Sequence, residues 1–425
     1  MLSEERNRQL TQIGPGTAMG AVLRRHWLPI GAASEFDDKS IRPARVLGED
    51  LVLYKDLSGV FGLVERQCPH RRADLANGFV EKRGLRCSYH GWLLSEQGQC
   101  LAMPYEDIAA PEARFREKVS VKAYPLRASA GLLWAYMGDA PAPDVPNYEP
   151  FQWANGFRQI VFAELPCNWA QCQENSIDPV HFEWAHANWS VRLSGETGPY
   201  SPKHVKVAFE EVEHGLIYKR IREDTDEAND LWSIGRVALW PVGMFLGDHI
   251  EWRVPIDDRN TLSVTWHFLR LPRESEPFEQ ESVPYWYGPI KDDQGRWISS
   301  HVMNQDFAAW VGQGVIADRM HERLGKSDEG VLMMRRLLFA DMDRVARGED
   351  PKAVVRDGDG GIVSLPVVER DRHVVGRTRG EIRANPALRR RFAHYPYQAG
   401  QPDAVRQALW AAAGLSEADL NPKGQ

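Results

Sequence analysis

The sequence predicts an α+β protein, with a small all-β region followed by a larger region in which an antiparallel sheet is covered by helices. Three observations carry that expectation. Residues 42–66 hold two alternating runs rich in Val, Leu and aromatics, ARVLGEDLVLYKD and GVFGLVER, which meet at LSG. That is the pattern of half-buried strands joined by a turn. Longer strand-like runs recur at 205–223 and 237–271, and the amphipathic stretch SDEGVLMMRRLLFADMDRVARG at 327–348 comes only after they end. Strands in one block and helices in another mark an α+β chain rather than an alternating α/β one.

Taken in order, residues 7–26 have helical apolar spacing, interrupted by GPGT at 14–17. GLLWAYMGD at 131–139 reads as another strand, and the Pro-rich APAPDVPNYEP at 140–150 as a domain boundary. VKVAFEEVEHGLIYKRIRE at 205–223 reads as a hairpin with His214-Gly215 at its turn; further strands follow over 237–271, with DDRN as a turn. Residues 272–300 are polar, with Pro and Gly, and read as an irregular excursion. Ser327 is the expected N-cap of the 327–348 helix, DGDGG at 357–361 a turn, and 403–415 a last helix. The expected divisions are an arm at 1–40, an all-β domain at 41–145 and a larger domain of sheet and helices at 146–425.

Bulk properties exclude several function classes. A chain of 425 residues with 43% apolar and 26% charged residues supports a large core. Its net charge of −7 argues against a nucleic-acid partner. No apolar run approaches the ~18 residues of a membrane span. The polar start MLSEERNRQL is not a signal peptide, so the cytoplasm is expected, where thiols stay reduced. The five cysteines, at 68, 87, 100, 167 and 172, are then ligands or small core residues rather than disulfides. Fifteen tryptophans fit a large core or an aromatic-lined pocket.

Two constellations carry chemistry. The first is Cys68-x-His70 in CPHRR, then Cys87-x-x-His90 in CSYHGW. A zinc finger groups its two Cys together and its two His together; here each segment supplies one of each. A [2Fe–2S] cluster with two Cys on one iron and two His on the other needs that arrangement, and neutral imidazoles raise its potential above that of an all-Cys cluster. Zinc, or plain core cysteines, is the competing reading. Pro69 stiffens the first loop, Gly91 permits a tight turn in the second, and Trp92 is placed to shield one side. The second constellation is ENSIDPVHFEWAH at 174–186, which gives Asp178-x-x-His181-x4-His186. Two His and a distant carboxylate form a facial triad that leaves open positions on Fe(II). Five residues on an α-helix are ~140° of rotation, so the two His share a face only if the helix carries a π-type bulge. Asp306 in NQDF, Asp318, Glu322 and Glu183 are the candidate carboxylates, and Asp318 with Arg319 reads as a structural ion pair.

CPHRRADLANG and LRCSYHGWLL resemble the Rieske motif in the form found in Rieske non-haem iron oxygenases. The resemblance spans nearly the whole chain, from MLSEERNRQLTQIGPGTAMGAVLRRHWLPI to QDFAAWVGQGVIADRMHERLGKSDEG, and is close to the phthalate-dioxygenase-like branch of ring-hydroxylating oxygenase α subunits. It implies that Cys68 and Cys87 bind one iron and His70 and His90 the other, and that Asp306 joins His181 and His186 on a mononuclear Fe(II). It implies that Asp178 bridges the iron site to His90 of a neighbouring subunit while hydrogen-bonding His181 of its own chain. It further implies a homotrimer or stacked trimers, an N-terminal arm packed on the catalytic domain, and a flavin and iron–sulfur reductase that passes on electrons from NAD(P)H.

The expected function is the terminal oxygenase of such a system, using O2 to cis-dihydroxylate a phthalate- or benzoate-like aromatic acid. Oxidative O-demethylation of a methoxy-aromatic acid is the alternative, and a non-catalytic Rieske electron carrier is the reading from a different class. The stretch expected to floor the pocket is apolar at Met244, Phe245 and Leu246. Lys206, Arg220, Arg222, Arg236 and Arg253 are the neighbouring cations that could anchor a carboxylate.

Overall fold

The computed structural model describes residues 1–356, 358, 360–368 and 376–421. Helices α1 (Glu4–Thr11) and α2 (Ala18–Arg24) are separated by GPGT, as expected. Ser3 and Thr17 cap them by accepting the amides of Arg6 and Gly20. Leu10, Ile13, Met19, Val22 and Leu23 enter the main hydrophobic core, which anchors the arm. Strand β1 (Trp27–Ala32) follows, at positions expected to belong to that arm.

Two four-stranded sheets come next. The first is β2 (Ile41–Val46), β3 (Glu49–Lys55), β4 (Phe61–Glu65) and, after the second, β9 (Ala123–Tyr124). The second is β5 (Phe79–Val80), β6 (Leu85–Arg86), β7 (Leu93–Leu94) and β8 (Cys100–Ala102). Asp56, just before LSG, fixes the β3–β4 turn by accepting the amides of Ser58 and Val60, and its second oxygen accepts the Gly84 amide at 3.1 Å. One carboxylate thus ties the two sheets together. Their shared core holds Val52, Val64, Leu85, Leu94 and Met103, with Cys68 and Cys87 buried within it. Strands β10 (Leu126–Ser129) and β11 (Leu132–Tyr136) then pair, and β11 also pairs with β1.

The remaining strands form one eight-stranded sheet in the order β13-β14-β15-β16-β17-β18-β12-β19. They are β12 (Gly156–Leu165), β13 (His204–Val212), β14 (Gly215–Arg222), β15 (Arg236–Leu239), β16 (Gly243–Phe245), β17 (His249–Asp257), β18 (Asn260–Arg270) and β19 (Tyr285–Tyr287). The expected 205–223 hairpin is present, but Val212 pairs directly with Gly215, so Glu213-His214 is the turn. Gly215 opens β14 instead, where a Cβ would stand 2.0 Å from the Ala238 carbonyl oxygen. The sheet is antiparallel except at one edge. The excursion at 272–300 was expected to be irregular, yet it contributes β19, which lies parallel to β12. Three residues are too short a run for any periodicity to announce them.

Helices α3 (Trp169–Asn175), α4 (Val302–Gly312), α5 (Glu329–Ala346), α6 (Pro386–Ala393) and α7 (Asp403–Ala413) surround this sheet. Ser327 is not the cap of α5. Asp328 accepts the Gly325 amide at 2.7 Å, which winds 326–328 into a short 3₁₀ turn and starts the helix two residues later. The turn expected at 357–361 lies partly outside the described residues.

A charge cluster locks the helices. Glu174 of α3 accepts Arg319 at 2.9 and 3.0 Å and Arg335 of α5 at 2.7 Å; Arg335 also holds Glu322, and Arg319 reaches Asn7 of α1. Burial alone would raise the Glu174 carboxyl, but the two guanidiniums outweigh it and hold it below the usual range. Removing one partner of such a cluster leaves buried charge uncompensated. Glu174→Gln is expected to destabilise the protein by about 3–5 kcal/mol, read as a lower denaturant midpoint; a midpoint equal to wild type contradicts this role.

Candidate active site

The two Cys/His segments fold into matching six-residue loops. The first is flanked by the Gln67–Asp74 bridge, the second by the Arg86–Leu93 pair of β6 and β7. In the first loop the Cys68 amide donates to Ala73 O at 2.8 Å and Arg72 N–H to Cys68 O at 3.0 Å. In the second, the Cys87 amide donates to Trp92 O at 2.8 Å and Gly91 N–H to Cys87 O at 3.0 Å. The fifth residue of each loop has positive φ, 59° at Arg72 and 74° at Gly91. A reversal that glycine adopts freely is imposed on an arginine in the first loop.

The loops face one another. The Cys68 and Cys87 thiols are within hydrogen-bonding reach, and burial pushes Cys68 up to about 11. The His70 and His90 rings are 4.3 Å apart between centroids, and Trp92 stacks on His70 at 4.5 Å and 13°. His70 Nδ1 is buried and has no hydrogen-bond partner among the described residues. Two buried thiols opposite two imidazoles, one with an orphaned nitrogen, fit a bound metal cluster that keeps the thiols deprotonated. His90, Tyr89 and Ser88 are exposed.

The second constellation forms on α3 and the segment after it. Asn168 caps α3 by accepting the Ala170 amide at 3.0 Å. The chain bends at Asp178, whose Oδ1 accepts the Val180 amide at 2.8 Å and so opens the next helical segment. Residues Phe182–Asn188 are then a π-helix, the expected irregularity. Bonding from i to i+5 brings residues five apart over one another, and the His181 and His186 rings are 5.2 Å apart between centroids.

Asp306, on α4, lies between them. Its Oδ1 is 3.7 Å from His181 Nε2 and 3.4 Å from His186 Nε2. Donor atoms of the three residues all fall within 4.8 Å of one another, the one such group among the described residues. Ligands at right angles around an ion at ~2.1 Å stand about 3 Å apart, so a small inward movement makes these donors a coordination set. His186 Nε2 is buried without a hydrogen-bond partner. Asp306 and Gln305 outweigh the burial that would lower His186 and raise its pKa, the mark of a place that attracts a cation. The rival carboxylates are elsewhere. Glu183 holds His204, Glu322 holds Arg335, and Asp318 pairs with His321 at 2.7 Å rather than with Arg319.

Each imidazole is oriented by a second bond. His181 Nδ1 donates to the Asp178 backbone carbonyl at 2.6 Å, while the Asp178 carboxylate is 3.7 Å from the same nitrogen. His186 Nδ1 donates to Gln305 Oε1 at 2.8 Å, and Gln305 is held by the Ser299 carbonyl. Asn175 donates to Asp306 Oδ1 at 3.4 Å. Sequence reasoning missed Gln305 and Asn175; being adjacent to Asp306 in NQDF was the only signal for Gln305.

A cavity of about 350 Å³ adjoins the three donors. Phe182, Met244, Leu246, Val302 and Met303 give it an apolar wall, and Arg236, His249, Glu251, Arg391 and Tyr397 a polar one. Of the five cations expected near a substrate, only Arg236 lines it. Lys206 pairs with Glu227, Arg222 with Asp224 and Arg253 with Glu251, and Arg220 lies over the Phe182 ring and donates to Pro179 O.

Comparison with known proteins agrees with this geometry. The family model "Rieske [2Fe-2S] domain" matches residues 26–125, and "LigXa C-terminal domain like" matches 251–359. The 5,5'-dehydrodivanillate O-demethylase oxygenase subunit of Sphingobium sp. SYK-6 is 59% identical over 418 residues, covering 98% of each chain. The phthalate 4,5-dioxygenase oxygenase subunit of Pseudomonas putida is 31% identical and covers 82% of this chain and 88% of its own. The chain belongs to the Rieske aromatic ring-hydroxylating oxygenase family. As a Rieske oxygenase subunit it is an enzyme, with a [2Fe–2S] cluster and a mononuclear iron as its cofactors. Among solved structures, Pseudomonas putida CBB5 NdmA superposes with a TM-score of 0.55 at 17% identity, over 81% of this chain and 99% of its own. That likeness shows a shared fold over 81% of this chain. No helix among the described residues is long and apolar enough to cross a membrane.

Two variants test the donor set by metal content. His181→Ala is expected to lower iron from about three to about two per chain while the visible absorbance of the cluster persists; loss of that absorbance instead means the ligands are misassigned. Gln305→Leu is expected to weaken the mononuclear site about 10–100-fold, measured by iron retained against a chelator.

Proposed function

We propose that this oxygenase is the terminal component of an O-demethylase acting on a methoxylated aromatic acid. The single observation behind that reaction is the 59% identity, over 98% of both chains, to a 5,5'-dehydrodivanillate O-demethylase subunit. The cavity supports it, since an apolar wall suited to a ring and a cationic side suited to an acid border the same three donors. In this reading Cys68, His70, Cys87 and His90 hold the cluster, and His181, His186 and Asp306 hold the mononuclear iron. The arm is 1–40, the cluster domain 41–145 and the catalytic domain 146–425.

Iron held by these donors would supply O2 activation, with two electrons from the reductant and two protons from solvent. One oxygen atom enters the methyl C–H bond; the resulting hemiacetal releases formaldehyde and a phenol, and the other oxygen leaves as water. The chain's own residues do the rest. Gln305 and the Asp178 carbonyl fix both imidazoles with Nε2 toward the Asp306 carboxylate, Asn175 steadies Asp306, and Met244, Leu246 and Phe182 hold the ring and keep water from the methyl group.

Electrons arrive from NAD(P)H through a separate flavin and iron–sulfur reductase, and His90 at the exposed loop tip is the point from which they leave the cluster. From there they cross to a neighbouring subunit through Asp178. Its side chain is 31% exposed, and capping the backbone occupies only Oδ1. A head-to-tail trimer would also bury Tyr89, Trp184 and Trp189, which are 57%, 56% and 46% exposed in the single chain. The five free cysteines suit the reducing cytoplasm.

Ring cis-dihydroxylation is the second reading, favoured by the 31% identity to a phthalate 4,5-dioxygenase subunit. Product analysis separates the two. Methoxylated aromatic acids are expected to yield formaldehyde and phenol in equal amounts, coupled to reductant consumption. A cis-diol with its methoxy group intact overturns the demethylase assignment. Asp178→Ala is expected to keep both metal centres loaded and stop product formation from a pre-reduced cluster; normal product per reduced cluster refutes the bridge.

A further inference from the structure

Arg391 was hidden in the sequence and stands out in the structure. It arrives from α6, far along the chain from the sheet residues that first suggest themselves as substrate anchors. One Nη is held by Asp248, a buried carboxylate that also accepts His249 Nδ1 at 2.6 Å and the Tyr397 hydroxyl at 3.0 Å. Asp248 is therefore a saturated anchor that sets the position of the guanidinium. A guanidinium carries five N–H donors in a planar fork. Arg391 is 19% exposed and borders the cavity that adjoins His181, His186 and Asp306, which leaves donors for a second acceptor.

The local charge points the same way. Asp248 faces Arg391 and His249, and Glu251 faces His249 and Arg253. Burial would lower His249, but the two carboxylates raise it to about 9, so it is cationic at neutral pH. Glu251 is held down to about 2 despite burial, chiefly by Arg253. Two buried carboxylates thus share three buried or half-buried cations. Excess positive charge in a desolvated wall is costly unless an anion enters to meet it. The opposite demand, a face for an aromatic ring, is met by Met244, Leu246 and Phe182 in the same cavity.

Resting on the aromatic-acid reading above, we propose that Arg391, steadied by Asp248 and Tyr397, is the residue that reads the substrate's carboxylate. The acid docks on the free edge of the guanidinium, its ring lies on the apolar wall, and its methoxy group is turned toward the three metal-binding donors. Selectivity for acids then resides in the C-terminal segment rather than in the sheet that floors the cavity.

The test measures a ratio, so that folding and loading cancel. Cluster- and iron-loaded protein is titrated calorimetrically with 5,5'-dehydrodivanillate and 3-methoxybenzoate, each against its carboxamide. Wild type is expected to prefer the acids. Arg391→Gln is expected to reduce the acid-over-amide preference about ten-fold or more, the weight of a charge-assisted bond. Arg391→Lys, which keeps the charge and the Asp248 pair but loses the fork, is expected to reduce it several-fold and serves if the glutamine variant does not fold. A wild type that binds acid and amide equally, or binds neither, overturns the proposal. So does a ratio unchanged in the variants, including one where both ligands weaken together, as a purely structural ion pair would produce. Formaldehyde is scored separately. Arg391-dependent binding of acids without formaldehyde sinks the demethylase reading and keeps the subsite. Formaldehyde from acid and amide alike, indifferent to Arg391, does the reverse.

Discussion

One metal ion needs several donor atoms within a few ångströms, and a regular helix cannot supply two of them from positions five apart. Residues 182–188 meet that constraint by becoming a π-helix, which brings the rings of His181 and His186 within 5.2 Å of one another. Much of the neighbouring structure serves this irregularity. Asn168 starts α3, Asp178 opens the segment that follows it, and α4 sends Asp306 and Gln305 back to the two imidazoles. The Glu174 cluster then ties α3 to α5 and the N-terminal arm, so the scaffold under the donors is held by buried charge as well as by apolar packing.

The Cys/His centre is built on the opposite plan. Its donors come from two short loops of matching geometry, each closed by its own pair of backbone hydrogen bonds and set in a core separate from that of the large sheet. Local hydrogen bonds suffice there because each loop reverses within six residues. The histidine side of the centre reaches the surface at His90, while the cysteine side stays buried. The cavity beside His181, His186 and Asp306 has a third character. Its polar wall is a buried chain of charges running from Arg391 to Arg253, which holds side chains in place and leaves one sign of charge in excess.

How legible each part was in the sequence depends on how local its cause is. Cys68, His70, Cys87 and His90 were readable because ligand identity and spacing are local. So were the long strands of the large sheet, whose alternation runs over many residues, and the need for a π-bulge, which follows from counting five positions between two histidines. β19 was not readable: three residues in a Pro-rich stretch become a strand only because β12 is beside them. Ser327 was misjudged for a similar reason, since Asp328 turning back to Gly325 decides where α5 begins. Asp318 looked like a partner for Arg319, but Glu174 takes that arginine from 145 residues away.

By itself, then, the sequence determined the chemistry on offer: two soft-ligand loops, a histidine pair at a spacing that regular helix refuses, and apolar residues at Met244 and Leu246 for the pocket wall. Ligand type and short-range periodicity are properties of neighbouring residues, and neighbours are what a sequence records. The residues alone left four carboxylates open, and the family resemblance pointed to Asp306; only the tertiary structure decided that Gln305 steadies His186 and Asn175 steadies Asp306, and that the cation beside the cavity with room for an acid comes from α6. Those choices depend on which distant segments the packing of sheet and helices brings within hydrogen-bonding distance, and that distance is set by the whole core rather than by any stretch of chain.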